Sequence, residues 1–382
     1  MAVSSFQKKT KHGIPKISGT RPSLRNSQLL ISTGVPSLDY FIGGGLAVGT
    51  VMLIEEDVFG AYARILLKYF ISEGIVCGHS LFLSGGDVSP TQILQGLPAP
   101  ISDNSAHRKS EPESRQVGAE PMKIAWRYTD LPVVQPAPAV HQFGHYYDVS
   151  LVMDSKLMQQ CDIETYDICE GSTESPQQFS GTLLPQPYQM VLYKIWRRLK
   201  KGNFLTSSNP AQPNILRIGI HSLGSPLWRT ISDSERSSSS DSPMFKFLHL
   251  LRALLRSAYA VCVVTVPLHL IQDVERLRFE SDTVVKLESF AGSDKEMNPV
   301  FKDYHGLFHI VKLPRLNSLT SFIPETKDLC FQLKKKKFAI EKLHIPPDLS
   351  ETASRTNKDP VVDKISHKLI GCSSATKIEI DF

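Results

Sequence analysis

Residues 31–60 read ISTGVPSLDYFIGGGLAVGTVMLIEEDVFG, and this stretch decides the fold class. A glycine-rich turn at 43–45 leads into the all-apolar run VMLI at 51–54, which is typical of a strand buried on both faces. A strand in that position normally delivers a phosphate-binding loop of the form G-x-x-x-x-G-K-[ST]. The stretch therefore raises the question of whether this chain binds a nucleotide.

The phosphate-binding frame is degenerate. It runs from Glu55 to Gly60, and the lysine and hydroxyl positions hold Ala61 and Tyr62. The acidic residues at 55–57 suit the positive end of a following helix, but they would occupy and repel the place of a polyphosphate. Two unit charges about 4 Å apart repel by about 4 kcal/mol at an effective dielectric of about 20. We therefore expect no ATP binding in the usual pose, and no bound cofactor.

The position of the metal-supporting aspartate is also changed. The predicted strand ILRIGI at 215–220 is followed by His221, whereas magnesium prefers oxygen ligands. The simpler interpretation of His221 is a strand-end residue hydrogen-bonded to a neighbour. The six cysteines, at 77, 161, 169, 262, 330 and 372, contain no C-x-x-C pair, which indicates neither a zinc site nor a redox motif. The residues predict no catalytic group and no metal.

Strands alternate with helical patterns up to about residue 290, and strands alone follow. This order predicts an α/β core with a mainly parallel sheet, helices on both faces and an antiparallel extension. We expect a single domain over 27–349, with insertions near 101–121 and 161–187 that are rich in Ser, Pro, Glu and Gln. The remaining segments are interpreted as a flexible leader (1–26) and a polar tail (350–382).

The composition is that of an intracellular protein without a membrane span. The amino terminus is basic and polar with no apolar segment behind it, so we expect no secretory signal. The longest apolar stretch, 258–271, is shorter than the roughly 18–20 residues of a membrane helix. A formal charge of +5 over 382 residues permits local basic surfaces without indicating a nucleic-acid partner.

The order of parts resembles a known fold family. The pattern TG-x-x-x-LD-x-x-x-GGG-L-x-x-G at 33–49, followed by strand, loop and helix, resembles the opening of RecA-like ATPases. Longer segments resemble the family of Elongator complex protein four, also called the PAXNEB family. They are GGGLAVGTVMLIEED, IAWRY, FGHYYD, ILRIGIHSLGSPLW, LLRALLRSAYAVCVVTVPLHL, DYHGLFHIVKLPRLNSL and LHIPPDLS.

That resemblance implies an accessory, structural subunit without catalytic residues. In the family, the RecA-like subunit alternates with Elongator subunits five and six in a hetero-hexameric ring. The ring docks on the catalytic Elongator subunits, which modify the wobble uridine of tRNA at carbon five. The resemblance also implies a cytoplasmic and nuclear location. Two alternatives stay open: a ring ATPase with an unusual nucleotide pose that controls tRNA release, and a signalling adaptor built on an inactive RecA-like core.

Two loops of RecA-like rings face the central opening, and they correspond here to 224–243 and 267–282. An aromatic residue with interspersed arginines is what stacking on RNA and contact with phosphate would use. Solvated loops without a ligand are the plainer interpretation. The candidate tRNA contacts are Trp228, Arg229, Arg236, Arg276 and Arg278, with His269 beside them.

Other basic and aromatic residues compete with those loops. The run KIWRRLKK at 194–201 places cations at a helix end, where they are favourable without any ligand. The run LKKKK at 333–337 is interpreted as a charged strand edge that blocks aggregation. Tyr146 and Tyr147, beside His145, are expected to pack against the core or a neighbouring subunit.

Overall fold

The computed structural model of the chain describes residues 15–23, 25–101, 143–169, 184–208, 212–228, 242–334 and 336–344. The strands are β1 (Thr20–Pro22), β2 (Leu29–Ile31), β3 (Leu46–Ala47), β4 (Val51–Glu55), β5 (Ser80–Gly85), β6 (Pro98–Pro100), β7 (Tyr147–Val152), β8 (Ile163–Asp167), β9 (Leu216–His221), β10 (Ala260–Val266), β11 (Thr283–Ser289), β12 (Gly306–Lys312), β13 (Leu329–Leu333) and β14 (Phe338–Lys342). The α-helices are α1 (Pro36–Phe41), α2 (Ala61–Cys77), α3 (Pro90–Gln95), α4 (Ser155–Gln160), α5 (Gln186–Lys201), α6 (Ser242–Leu255) and α7 (Val274–Glu280).

Among the described residues, a nine-stranded sheet runs in the order β14-β13-β12-β11-β4-β10-β9-β5-β8. The strands from β11 to β8 pair parallel to one another. Strands β12, β13 and β14 continue the sheet in antiparallel pairs beyond β11. The predicted α/β fold with a mainly parallel sheet and an antiparallel extension is confirmed, and it is that of the RecA-like class.

Both faces of the sheet are covered, as predicted. Met52 and Ile54 of β4 belong to the core cluster that contains helix α2. Val51 and Leu53 belong to a second cluster with α5 and α6 on the opposite face. Because alternate residues of a strand point to opposite faces, the unbroken apolar run at 51–54 buries side chains in both clusters.

Helix α2 is longer than the sequence predicts. The pattern AYARILLKYFISEG at 61–74 predicts a helix that stops at Gly74. In the structure Gly74 is an interior position of the helix, which ends at Cys77 before Gly78. A Cβ atom at Gly74 would lie 2.6 Å from Leu81 Cδ2 and 2.8 Å from Arg217 Cδ. The glycine therefore serves close packing of the helix on the sheet rather than helix termination.

Two expectations about irregular segments are corrected. The predicted insertion at 161–187 contains β8, which pairs parallel with β5 at the edge of the central sheet, and helix α5 starts at Gln186. The predicted flexible leader contains β1, which pairs antiparallel with β2, and Ile17 is buried in the core. The segment 101–121, apart from Ile101, lies outside the described residues, as does the tail at 350–382. The domain limits 27–349 stay a prediction.

Candidate functional site

The carboxyl ends of parallel strands β4, β5, β9 and β10 meet at a cleft of about 240 Å³. Its wall contains the loop at 56–60 between β4 and α2, which is the position of the degenerate phosphate-binding frame. The residues after β5, β9 and β10 complete the cleft. In an open parallel sheet, ligands usually bind at the carboxyl ends of the strands, so this cleft is the candidate site.

The Asp57 carboxylate occupies the start of helix α2. It is buried, and it accepts hydrogen bonds from the backbone N–H groups of Ala61, Tyr62 and Ala63, at 3.3, 3.1 and 3.3 Å. Free N–H groups at a helix start are the usual ligands of a phosphate. The prediction that an acidic side chain takes the phosphate position is therefore met by Asp57.

Glu55 behaves differently from the prediction. Its side chain is fully buried and accepts two hydrogen bonds from Arg278, at 2.6 Å from Nε and 2.9 Å from NH2. The same guanidinium donates to Glu275 at 2.8 Å. Because Arg278 neutralises Glu55 inside the protein, the expectation that Glu55 directs charge at the loop is wrong.

Tyr62 stands at the hydroxyl position of the frame, but it packs as an aromatic residue. Its ring lies 4.7 Å from that of Phe331 on β13 and 6.4 Å from that of Phe338 on β14, between ring centroids. Ala61 offers no side-chain donor at the lysine position. The start of α2 is thus tied to the antiparallel extension by apolar contacts, where a nucleotide-binding loop needs an ammonium and a hydroxyl group.

Glu56 and His221 are two titratable groups in the cleft wall. Burial, with the charge of Asp87, raises the pKa of Glu56 to about 7, against hydrogen bonding by Thr265. Burial, with the charge of Arg64, lowers the pKa of His221 to about 4, so the imidazole is neutral at neutral pH. Glu56 Oε1 and His221 Nδ1 have no hydrogen-bond partner in the described part of the chain. His221 is the last residue of β9, as expected, but its Nδ1 atom makes no hydrogen bond within the described residues.

A second polar cluster lies inside the protein around Glu73 of α2. The Glu73 carboxylate accepts hydrogen bonds from the Tyr147 hydroxyl at 2.6 Å and the His145 backbone N–H at 3.1 Å, and His145 Nδ1 lies 3.1 Å from Oε1. Burial alone would raise the pKa of Glu73, but the His145 hydrogen bond, the charge of Arg217 and the Tyr147 hydroxyl lower it to about 2. The expectation that Tyr147 packs against the core is confirmed; Tyr146 is exposed.

Glu73, Cys77 and His145 bring three possible metal-ligand atoms within 4.8 Å of one another. Burial and the charge of Glu73 raise the pKa of the Cys77 thiol to about 12, which opposes the thiolate that a metal needs. Arg217 donates to His79 Nδ1 at 3.0 Å and to two backbone carbonyls. Arg217 of β9 acts on Glu73 of α2 through its charge, while each of the two is hydrogen-bonded to other partners.

Glu73 and Arg217 are not among the residues for which the sequence predicts a role. A signal for both was present in the sequence: Glu73 lies within an apolar helix pattern, and Arg217 lies within the apolar strand ILRIGI. Buried charges of this kind require partners. Nothing in the sequence identified those partners, because His145 and Tyr147 lie more than 70 positions beyond Glu73.

Three of the candidate RNA residues are among those that the structure describes, and they have different surroundings. Trp228 has no exposed area and packs on Tyr188 and Phe247, at centroid distances of 5.2 and 6.3 Å. Its burial in the core excludes base stacking, so that prediction is wrong. Arg276 lies over the Phe245 ring at 4.9 Å. Arg278 is ion-paired with the carboxylates of Glu55 and Glu275. Arg229 and Arg236 lie outside the described residues.

The competing basic runs are only partly available to a ligand. Arg198 of α5 is buried and ion-paired with Asp162 and Glu164, whereas Arg197, Lys200 and Lys201 are exposed. In the run at 333–337, Lys334 pairs with Glu341 at 2.8 Å and Lys336 with Asp148 at 3.2 Å, and Lys337 lies over the Tyr146 ring at 4.5 Å. Lys335 is not among the described residues. None of the described helices has the length and apolar character needed to cross a membrane.

Comparison with known proteins identifies relatives over nearly the whole chain. The family model described as PAXNEB protein matches residues 13–382. A relative from Danio rerio named Elongator complex protein 4 is 49% identical, over 93% of this chain and 91% of its own length. Proteins of the same name from Xenopus laevis and Homo sapiens are 45% and 43% identical, over 97% and 100% of this chain and 93% and 94% of their own lengths.

Proposed function

The chain belongs to the PAXNEB family, and from that membership we propose that it is a structural, non-catalytic subunit of an Elongator complex. Its relatives are named as a subunit of that complex, and the match covers almost their full lengths. In this proposal the chain supports modification of the tRNA wobble uridine at carbon five, and the catalytic subunits perform the reaction. The location that goes with it is cytoplasmic and nuclear.

The non-catalytic role rests on one observation, the Asp57 carboxylate at the start of α2. Three backbone N–H groups that would hold a phosphate donate to this side chain instead. Tyr62 adds to this, because its ring packs on the antiparallel extension where a magnesium-binding hydroxyl would stand. A polyphosphate would have to displace Asp57 from a buried position and then meet its charge.

The assembly proposed is a hetero-hexameric ring in which this chain alternates with Elongator subunits five and six. Support comes from apolar surface beside the cleft. Val58 and Phe59 are 74% and 67% exposed at the loop between β4 and α2, and Leu227 is exposed as well. Large exposed apolar side chains grouped in this way indicate a surface that a partner covers.

Arg229, Arg236 and Arg276 remain the proposed tRNA contacts of the two inward loops.

The ring ATPase with an unusual nucleotide pose is the second candidate function. The observation that favours it is the cleft itself, which holds about 240 Å³ of space next to Arg64 and His269. An incoming subunit could supply the cations that the loop lacks. Such a pose would bind phosphates away from the start of α2.

Two measurements test the proposal. The first is isothermal titration of the assembled complex with ATP and magnesium. We expect the complex that carries Arg64→Ala to give the same binding heat as the parent, because the cleft of this chain binds no nucleotide. Nucleotide binding that disappears in Arg64→Ala would favour the ATPase. Co-purification should recover two further RecA-like chains in equal amounts; recovery of unrelated signalling proteins alone would favour an adaptor.

A further inference from the structure

A basic cleft of about 470 Å³ lies at the amino ends of the parallel strands, whereas the degenerate loop lies at their carboxyl ends. Asp282, at its base, accepts a hydrogen bond from the backbone N–H of Val51, the first residue of β4. Parallel strands β4 and β11 both begin at this edge. We call this site the amino-edge cleft; it is lined by Arg252, Arg256, Phe279, Asp282, Lys312 and Arg315.

Positive charge exceeds negative charge in the amino-edge cleft. Four cationic side chains line it against one carboxylate, that of Asp282. Arg252 and Arg256 share a single oxygen of that carboxylate, at 3.1 and 2.5 Å. The nearby Glu280 lies 3.1 Å from His249 and adds a second negative charge that acts on Lys312, so two positive charges remain in excess. The built-in carboxylate therefore leaves a surplus of positive charge that an anion would neutralise.

The cations of the cleft are held in place by the fold, and Lys312 contributes charge rather than free donors. Lys312 Nζ donates to the carbonyls of Arg278, Phe279 and Ser281, at 2.9, 2.9 and 2.7 Å, which fixes the ammonium at the end of α7. Arg256 NH1 donates to the Gly49 carbonyl at 2.9 Å. Arg315 is exposed at the rim and makes no ion pair within the described residues, so its full set of donors can contact a ligand.

An aromatic side chain completes the rim. Phe279 is 70% exposed, and the Lys312 ammonium lies 5.6 Å from the centre of its ring. A bare aromatic face beside guanidinium groups suits a nucleotide, because the base can stack on the ring while the phosphate pairs with arginine. An acidic peptide would use the cations but would gain little from the ring.

We propose that the amino-edge cleft binds a phosphate of an RNA strand, with Arg315 contacting the phosphate and Phe279 stacking on an adjacent base. The proposal rests on the proposed role in tRNA modification, and it adds residues beyond the candidates named from the sequence: Arg315 lies after β12, and Phe279 lies near the end of the 267–282 segment. Free inorganic phosphate shares the anionic chemistry but offers no base to Phe279. The experiment therefore includes phosphate as a separate arm.

The test is a binding titration of the full chain, in the assembly in which it purifies, with an unmodified tRNA transcript. Arg315→Glu should weaken binding fivefold or more, and the slope of log affinity against log salt should flatten by roughly 0.7 to 0.9 for each phosphate that is no longer neutralised. Phe279→Ala should weaken binding about fivefold or more, because a base can no longer stack on the ring. The matched control is Lys246→Glu, an exposed residue of helix α6 whose reversal changes the net charge equally. It should change affinity by less than twofold.

Unchanged melting temperatures should show that the variants fold, since neither Arg315 nor Phe279 is buried. Equal weakening in Arg315→Glu and Lys246→Glu would overturn the proposal, because net charge alone would explain both. If tRNA binding is intact in both cleft variants, the cleft assignment fails while the proposed function stands. If the parent assembly binds no tRNA, both fail. Inorganic phosphate binding that Arg315→Glu abolishes, with tRNA binding unchanged, would assign the cleft to free phosphate and overturn the RNA contact.

Discussion

Single buried carboxylates in this protein differ in how completely their neighbours satisfy them. Glu73 receives hydrogen bonds from His145 and Tyr147, and its pKa falls to about 2. Glu56 has one oxygen without a partner among the described residues, and its pKa rises to about 7. Burial thus accompanies a stabilised charged form at one site and a stabilised neutral form at the other, because only hydrogen bonds and nearby cations offset desolvation.

The hydrogen bond from Tyr147 to Glu73 gives the first prediction. Tyr147→Phe removes a 2.6 Å bond to a buried, charged acceptor and should lower the free energy of unfolding by about 1.5–3 kcal/mol. Chemical denaturation of the full chain measures this. Tyr146→Phe is the matched control, because the neighbouring Tyr146 side chain is exposed and removal of its hydroxyl should cost less than about 0.5 kcal/mol. Equal effects of the two variants would contradict the role given to the buried bond.

Glu56 gives a pH prediction. Its folded pKa of about 7 exceeds the ordinary value of 4.5, so the folded state keeps a proton that the unfolded state releases. The stability from this group is fully present below pH 4.5 and is lost as pH rises toward 7. Glu56→Gln should therefore match the parent at pH 4.5 and exceed its unfolding free energy by about 1–3 kcal/mol at pH 8. Parallel stability profiles for parent and variant would contradict the raised pKa.

Among the secondary-structure elements, helix α7 is tied to strand β4 by an ion pair that crosses between them. Arg278 of α7 reaches Glu55, the last residue of β4, with two hydrogen bonds. Asp273 caps the same helix by accepting from the Arg276 backbone N–H at 3.0 Å. This short helix is therefore positioned by its polar ends as well as by the buried Leu277.

Removing that tie tests whether Arg278 is structural or an RNA contact. Arg278→Ala leaves the Glu55 carboxylate buried without its partner and should destabilise the fold by roughly 3 kcal/mol. Thermal denaturation of the full chain, with calorimetry, measures the change. Arg276→Ala, two residues earlier on the helix, leaves Glu55 paired and should cost less than about 1 kcal/mol. A stable Arg278→Ala variant with weakened tRNA binding would show instead that Arg278 contacts RNA.

The sequence predicts some elements better than others for identifiable reasons. VMLI at 51–54 indicates β4, because a strand buried on both faces is apolar at every position. Strand β8, IETYD, is an edge strand with one buried residue, Tyr166, so its composition resembles that of a loop. The Trp228 ring is next to polar loop residues in the sequence, yet it packs on Tyr188 and Phe247 from other helices. Long-range pairings of this kind leave no local pattern.

On the scale of the whole molecule, the cleft at the carboxyl edge and the amino-edge cleft lie at opposite ends of the parallel strands. The first is bordered by the exposed apolar residues Val58 and Phe59, and the second by cations with the exposed ring of Phe279. An apolar border suits a protein neighbour, whereas a cationic one suits a polyanion. The carboxyl-end cleft therefore suits assembly, and the amino-edge cleft suits an RNA contact in addition to those proposed for the loops at 224–243 and 267–282.

Separation of the two edges leads to the last prediction, which concerns assembly. The full chain expressed by itself should self-associate, because obligate interfaces commonly exceed about 2,000 Å² and are rich in apolar groups. Val58→Ser with Phe59→Ser should reduce this association and weaken capture of the two RecA-like partners, with the fold retained, since both side chains are exposed. Analytical ultracentrifugation and co-purification measure the two effects.

The control for this prediction is Leu319→Ser, which removes an apolar side chain, 97% accessible, from the segment between β12 and β13. A parent chain that is monomeric at micromolar concentration and indifferent to added partners would contradict the ring. An assembly that tolerates the double variant but not Leu319→Ser would place the subunit interface on the β12–β13 segment instead.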